Sequence, residues 1–545
     1  MRKLRKISCF ILSGLFVFSA CATGTNNSDE KVLRVVDANK PITLNHHDTS
    51  IIIDFNQIGQ IMENLVEYDL NSKLVPAAAE SWSESADHLT YTFKIRKKAR
   101  WANGEPVTAH DFVFAWRTLA TTPTSPYSSY VSVIKNGAKV HAGELAPETL
   151  GATAKDDHTL VVELEKPSAL FLSYMAFTIF APMNEQFYNE IGGHDAYGRS
   201  AATTLGNGAY TVEVFTPETE VVFVKNTHYW NSKKVDIGRV ELRVVTEPST
   251  QSILFESDEI DVLNATGILA DQYKDYENLV PYMEASNQYM YLSNDTQKPM
   301  PALESKNFRL AVAHAIDKTI LTDQIKKDNS KPLDSLIPEK FGAVGDVFYS
   351  DVAAKSNREI PTFNVAKAQE YLEAAKTDLG DTPLEFSLNF SDNATNKLLF
   401  ENIKSQVETN LPGVTLNLNY TPSQLFYPEV KAFEVPAAAA GWGADFFDYS
   451  TFFVVMEPDG KYNYGCYNNS EIGKLLAEAE SEPAVSNPEK RAELYIKAET
   501  LALQDGRIVP LMQSGANYAV KPNVKNYQRN ALYPNVAYKY VQKDA

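Results

Sequence analysis

Pro76-Ala-Ala-Ala-Glu80-Ser-Trp82, then Leu89-Thr-Tyr-Thr-Phe-Lys-Ile-Arg96, then Trp101-Ala-Asn-Gly104 leading to Thr108-Ala-His-Asp111-Phe112, form the stretch from which the fold is read. Leu89, Tyr91, Phe93 and Ile95 alternate with polar residues, the period of a half-buried strand. Trp101 to Gly104 turns the chain. Thr108 stands where a helix would be capped, with Asp111 three residues on beside the positive helix end, and Phe112, Ala115, Trp116 and Leu119 share one face. The order is strand, turn, helix.

Outward from there, residues 31–36, 158–164, 209–215, 220–225 and 240–245 also alternate, so 32–300 reads as strand-rich, with one helix expected around 54–66. Past residue 300 the pattern changes. Asn307 precedes a run in which Phe308, Val312, Ile316 and Ile320 recur every four residues. Asn364 is placed to cap a helix carrying Val365, Ala368, Leu372 and Ala375, strands are expected at 384–390 and 414–420 around a helix near 394–410, and Asn487-Pro488 opens a last helix closed by Gly506. This alternation predicts a separate α/β lobe.

At 545 residues the chain exceeds a single core, and its 44% hydrophobic and 22% charged residues are those of a globular protein. Arg2, Lys3, Arg5 and Lys6 precede an apolar run over Ile7–Phe18, too short to span a bilayer and followed by Ser19-Ala20-Cys21, so residues 1–21 read as a signal peptide. The ending resembles the lipobox of bacterial lipoproteins, which implies lipid attachment at Cys21, although that family usually has leucine where Phe18 stands. Residues 22–31 are a polar tether. The formal charge of −18, which becomes −22 once a leader with four basic residues is removed, argues against nucleic acid as a partner. Cys9 lies in the leader, so Cys466 is the only thiol of the body and no disulfide frame is expected.

Groups that carry covalent chemistry are not found. No His-Glu-x-x-His, Gly-x-Ser-x-Gly, phosphate loop or paired CxxC occurs. Gly206-Asn-Gly208 is a turn, His46-His47 lacks a spaced third metal ligand, and Cys466 reads as a small residue among tyrosines. Neither metal nor cofactor is expected, and the chain does not read as an enzyme. Pro436-Ala-Ala-Ala-Ala440-Gly-Trp-Gly-Ala-Asp445 is different: an extended run without bulk, flanked by glycines and ending in a carboxylate. Read alone it is a packed strand ending in a solvated turn, or a surface against which another chain could lie.

The stretch from Pro76 to Phe112 resembles the signature region of extracytoplasmic solute-binding proteins of the peptide/nickel class, and most nearly the oligopeptide-binding lipoproteins of ABC importers. The likeness runs on through Ser125-Pro-Tyr127, Asp156-Asp-His-Thr-Leu160, Gly206-Asn-Gly-Ala-Tyr210, Tyr229-Trp-Asn231, Asn307-Phe-Arg309, Ala315-Ile-Asp-Lys318, Gly441-Trp-Gly-Ala-Asp445 and Val509-Pro510. It implies a two-lobed α/β fold of the class II periplasmic-binding-protein type with an extra domain inserted in the N-terminal lobe. The expected divisions are 32–72 and 199–300 for lobe I, 73–198 for the inserted domain, 301–512 for lobe II and 513–545 for the return to lobe I, with hinge strands near 300 and 515.

The resemblance also implies a role for each site residue. Asp445 would anchor the α-amine of an oligopeptide, the backbone of Gly441, Trp442 and Gly443 would pair with one edge of it, the loop of Ser50, Ile51 and Ile52 would meet the other, and Tyr127 would line the channel. For Asp445 a solvated turn or an internal salt bridge stays open, and for Tyr127 a purely structural place. Some enteric-type members carry an arginine two residues before the Gly-Trp pair, where it meets the carboxylate of a short peptide. Here that residue is Ala439, with only Lys431 nearby, so a ligand held at both ends is not expected, and longer or more apolar peptides, signalling pheromones among them, become plausible. The implied partners are an oligopeptide, an ABC permease and, through Cys21, the outer face of the cell membrane, with a monomeric receptor. The same scaffold also hosts receptors for nickel chelates, haem and oligosaccharides, and a cell-surface peptidase or an adhesive or chaperoning surface protein are further alternatives.

Overall fold

The computed structural model describes residues 30–293, 298–344, 347–530, 532 and 534–544. The leader, Cys21 and most of the tether lie outside them. The body, Lys31–Ala545, forms one compact unit. Two four-stranded sheets lie in its N-terminal half. In one, Val32–Asp37 pairs parallel with Arg239–Val244, followed by Glu220–Lys225 and Tyr210–Thr216. The other is antiparallel, in the order Ala79–Glu84, Thr90–Ile95, Thr159–Glu163, Ala152–Asp156.

The founding stretch folds as its pattern predicts. Thr108 and Asp111 form a capping box at the start of the helix Ala109–Ala120, whose Phe112, Ala115, Trp116 and Leu119 are fully buried. These residues join a continuous core with Leu33, Tyr210 and Phe223, so the region expected as an inserted domain shares its interior with the first sheet. The Gly206-Asn-Gly208 turn is a packing device: a Cβ on Gly206 would stand 2.1 Å from the carbonyl oxygen of Ile61, at the end of the helix Ile52–Ile61.

A third sheet carries the α/β half. Its order is Val262–Asn264, Ile508–Val520, Leu279–Leu292, Ala437–Gly443, Glu385–Ser391, Thr415–Thr421. The helices Val365–Leu379 and Pro488–Gln504 start at Asn364 and Asn487, whose side chains accept from Lys367 N and Lys490 N. One expectation needs correction. The helix at Asn307 spans Lys306–His314 and is capped by Ser305, whose hydroxyl accepts from Phe308 N, while Asn307 donates to Asp378 instead. Ile316 and Ile320 follow its end, because their four-residue spacing reports burial, which a turn into the next helical segment satisfies equally well.

Leu279–Leu292 and Ile508–Val520 are the long strands common to both halves. Their pairing breaks between Met283 and Asn287. Tyr282 and Ala516 lie in the N-terminal core, whereas Ala285, Tyr289 and Ile508 lie in a second core and Met290, Leu511 and Met512 in a third. The first strand to pass between the cores therefore ends before residue 300, where the first hinge was expected. Among the described residues no helix is long and apolar enough to cross a membrane.

Candidate functional site: a peptide-sized cavity with a buried carboxylate

Ala437–Gly443 is an edge made available to a ligand. On one side it pairs with Leu279–Leu292 along its whole length, from Ala437 opposite Leu292 to Gly443 opposite Ser286. On the other it meets Glu385–Ser391 at a single pair, Asn389 with Ala438. Trp442 N donates to Asn287 Oδ1 at 3.1 Å and Ala444 N to the Ala285 carbonyl at 2.8 Å, so both point at the long strand. Strand alternation then turns the N–H and C=O of Gly441 and Gly443 to the opposite edge, where no strand pairs with them among the described residues.

That edge opens into a cavity of about 1600 Å³, larger than the 300–1,000 Å³ typical of a small-molecule pocket. Gly441, Trp442, Gly443 and Asp445 line it together with Ser50, Ile51, Ile52 and Tyr127, so every residue singled out for ligand contact in the body faces one space. Ile51 and Ile52, at the start of the helix Ile52–Ile61, are 36% and 51% exposed, large apolar side chains turned to solvent at the cavity wall. Trp442 stacks edge-on against Tyr462 at 4.8 Å and donates from its indole N–H to Thr451 Oγ1 at 3.4 Å, which also accepts from Asp445 N.

Asp445 is the one carboxylate on this loop without a cation. Three residues on, Asp448 is held by both terminal nitrogens of Arg491 at 2.8 and 3.1 Å, and Arg491 also reaches Glu480. Asp445 makes no salt bridge among the described residues. Its partner is the Tyr127 hydroxyl, which donates to Oδ1 at 3.1 Å, and the Tyr130 hydroxyl also bears on it. Tyr130 and Tyr174 pack on Phe446 at 6.4 and 5.1 Å, closing an aromatic shell around the carboxylate. One face of Asp445 still meets the cavity, but the enclosing protein raises its pKa from 3.8 to about 6, against the opposing pull of the two hydroxyls.

Sequence reasoning missed several residues. Tyr130 lies one turn after Tyr127 and could have been found from that spacing. Arg529 could not, since it comes from the C-terminal return, yet it lines the cavity, as do Lys40, Lys431 and Lys461. Ala439 itself does not face the cavity. Ala439 packs with the Met290 and Ala437 core on the face opposite Ala438 and Ala440, and Ala440, not Ala439, lines the cavity. A residue at position 439 says little about charge in the cavity.

Other landmarks are scaffold. Tyr229 and Trp230 donate to buried Glu63, the latter at 2.8 Å, and Arg96 lies 4.0 Å over the Trp230 ring. His46 and His47 are buried against each other and kept neutral by burial. Among the described residues no group of three or more His, Cys, Asp or Glu is arranged to hold a metal ion. Cys466 sits in a left-handed turn at φ 52°.

Residues 73–464 match the family model described as bacterial extracellular solute-binding proteins, family 5 Middle. The chain belongs to that family. The periplasmic oligopeptide-binding protein OppA of Haemophilus influenzae is 29% identical over 516 residues, 92% of each chain. The structure of Listeria monocytogenes OppA bound to peptide is 30% identical with a TM-score of 0.79, covering 95% of this chain and 99% of that one. That of the pheromone receptor PrgZ, described with its mode of peptide binding, is 25% identical with a TM-score of 0.80, covering 95% of this chain and 100% of that one. The fold is the two-lobed α/β fold of this family.

Proposed function

We propose that this protein is the receptor of an ABC importer, capturing extended oligopeptides between its lobes and delivering them to a permease. The observation that carries the reading is Asp445, a carboxylate enclosed in a peptide-sized cavity beside a strand edge, with hydroxyls but, among the described residues, neither a cation to meet it nor a strand to pair that edge. An ammonium group is the missing partner, and every unmodified peptide supplies one at its N-terminus. The backbone of Gly441 and Gly443 then pairs with the ligand whatever its sequence, which gives affinity without side-chain choice. Tyr127, Tyr462 and Tyr464 leave amphipathic walls suited to varied side chains.

Tyr127 and Asp445 come from different halves of the chain, and their hydrogen bond spans the closed cleft, an arrangement the empty protein also adopts and binding reinforces. The pairing break between Met283 and Asn287 is where the motion is absorbed. The protein acts by binding and release, without covalent chemistry. In the cell it is tethered at Cys21 to the outer face of the membrane and works as a monomer, and Cys21→Ser releases it into the medium.

Native mass spectrometry of the purified full-length protein tests this reading. Added masses that fragment as peptides with free α-amines support it. A bound metal chelate, haem or sugar in their place assigns the scaffold to another solute, and cleavage of added peptides revives a peptidase.

A further inference from the structure

Arg529 is set apart from the other buried arginines. Arg309 gives its N–H groups to the carbonyls of Leu303, Glu304 and Asp505, Arg358 meets Glu499, and Arg491 meets Asp448 and Glu480. Among the described residues no carboxylate or carbonyl accepts from Arg529; its Nε is sealed without a partner, and the hydroxyl of Tyr527 is the one side-chain group hydrogen-bonded to its guanidinium. The flat guanidinium instead lies over two rings, with Cζ 4.4 Å from the Tyr518 centroid and 5.0 Å from that of Tyr282. Those tyrosines stand on adjacent strands, with Val280 opposite Tyr518 and Tyr282 opposite Ala516, so they form one platform. The chain just after Arg529 is fastened twice: Tyr282 donates to the Asn530 carbonyl, and Asn535 exchanges hydrogen bonds with Asn56 of the helix Ile52–Ile61. A cation so rigidly carried has already lost its side-chain freedom before any ligand arrives.

Its surroundings point to an anion. Arg529, Tyr282, Tyr518 and Tyr527 line the cavity. The acidic groups close enough to influence it, Glu284 and Asp37, form no salt bridge with it. Over the cavity as a whole, Arg529, Lys431 and Lys461 face Asp37 and Glu284 once Asp445 is assigned to the amine and Lys40 is set against its ion-pair partner Glu218, which leaves an excess of positive charge for the remainder of the ligand. The terminal nitrogens of a guanidinium suit the two oxygens of a carboxylate, and a bidentate pair of this kind is the strong form of such a contact.

The strand register also places this cation along the ligand. Ala444, next to Asp445, donates to Ala285, and Tyr282 lies three residues before Ala285 on the same strand. Arg529 therefore belongs to the end of the cavity where the amine is held. We propose that Arg529 receives a carboxylate within the first residues of the ligand, either an acidic side chain there or the C-terminal carboxylate of a di- or tripeptide. This rests on the peptide-receptor reading above and adds a preference to it.

Calorimetry on ligand-stripped full-length protein tests it with two probe sets. One is alanine hexapeptides carrying Glu or Gln at each of positions one to five. The other is di- and trialanine as free acids and as amides. The expected result is at least tenfold tighter binding of Glu over Gln at one of the first three positions, or of the short free acids over their amides, and which set responds identifies the source. In Arg529→Gln the ratio falls to within twofold of one, while the loss caused by N-acetylation stays as in the wild type. Arg529→Lys, which keeps the charge over the tyrosines but not the fork, gives an intermediate ratio and covers the case in which the glutamine variant folds poorly. Ratios near one in the wild type, or ratios unchanged in Arg529→Gln, overturn the assignment. Failure of every peptide to bind overturns the receptor reading as well, and insensitivity to N-acetylation alone removes Asp445 and leaves Arg529 standing.

Discussion

Tyr127 donates a hydrogen bond of 3.1 Å to Asp445 across 318 residues of chain, joining the N-terminal core to the loop that follows the open strand edge. The pair closes the cleft over a carboxylate whose pKa stands at about 6. A group so placed is ready for a cation and is held at a cost until one arrives.

Ligand affinity depends on pH through Asp445. Its pKa is raised in the ligand-free protein, whereas an ammonium partner holds it ionised in the complex. Below about pH 6 a proton therefore competes with the ligand. Affinity for a free-amine peptide is expected to be level above pH 7 and to fall about tenfold per unit once pH drops below 6, with about one proton released on binding there. Calorimetry in buffers of different ionisation enthalpy reads the proton directly, and Asp445→Ala removes the dependence.

The same shift makes Asp445 a burden on the empty protein. A carboxyl whose folded pKa lies above its unfolded value costs nothing below pH 3.8, progressively more as pH rises through 6, and its full amount above that. At about 1.4 kcal/mol per pH unit, discounted for the face that meets cavity water, Asp445→Asn should stabilise the ligand-free protein by about 2 kcal/mol at pH 7. Urea unfolding at pH 7 and pH 4 tests this. The gain should vanish at pH 4, and a variant less stable than wild type at pH 7 would show that the tyrosine hydroxyls outweigh burial.

Much of this arrangement was legible in the sequence. Period-two strands and capped helices fix themselves locally, which is why Thr108 with Asp111, Asn364 and Asn487 stand where expected. The Gly441 to Asp445 motif, Tyr127 and the loop at Ser50 to Ile52 also lie in one cavity. What escaped depends on long-range placement. Arg529 reaches the cavity because the chain returns to the N-terminal half after Ile508–Val520, and no local pattern reports that. Ala439 misled because strand neighbours face opposite sides, and the motif does not say which side is the cavity. Tyr229 and Trp230 are landmarks of the resemblance, and only the fold shows that they serve buried Glu63.

Gly441 is required by its neighbour. A Cβ there would stand 2.8 Å from the Asn287 carbonyl oxygen on the paired strand. Gly441→Ala is expected to push the edge strand outward, lower stability by about 1–3 kcal/mol, and weaken all peptides by a similar factor, since the damage falls on backbone pairing. Selective loss for particular side chains would contradict the pairing assigned to this strand.

Arg491 holds the loop on the far side of Asp445. Arg491→Leu leaves Asp448 and Glu480 enclosed without their cation and should cost about 3–5 kcal/mol of stability. It should also loosen the 445–448 turn that aims the anchor. Denaturant midpoints measure the first effect, and the affinity of the surviving folded fraction measures the second.

The central claim is that Asp445 receives the ligand's α-amine, and the direct measurement is calorimetric affinity for one peptide in free and N-acetylated forms, with wild type and Asp445→Ala. The account predicts that acetylation and the substitution each cost about 2–5 kcal/mol, and that acetylation costs nothing further in the variant. Equal binding of the two forms by the wild type, or additive losses in the variant, would contradict it.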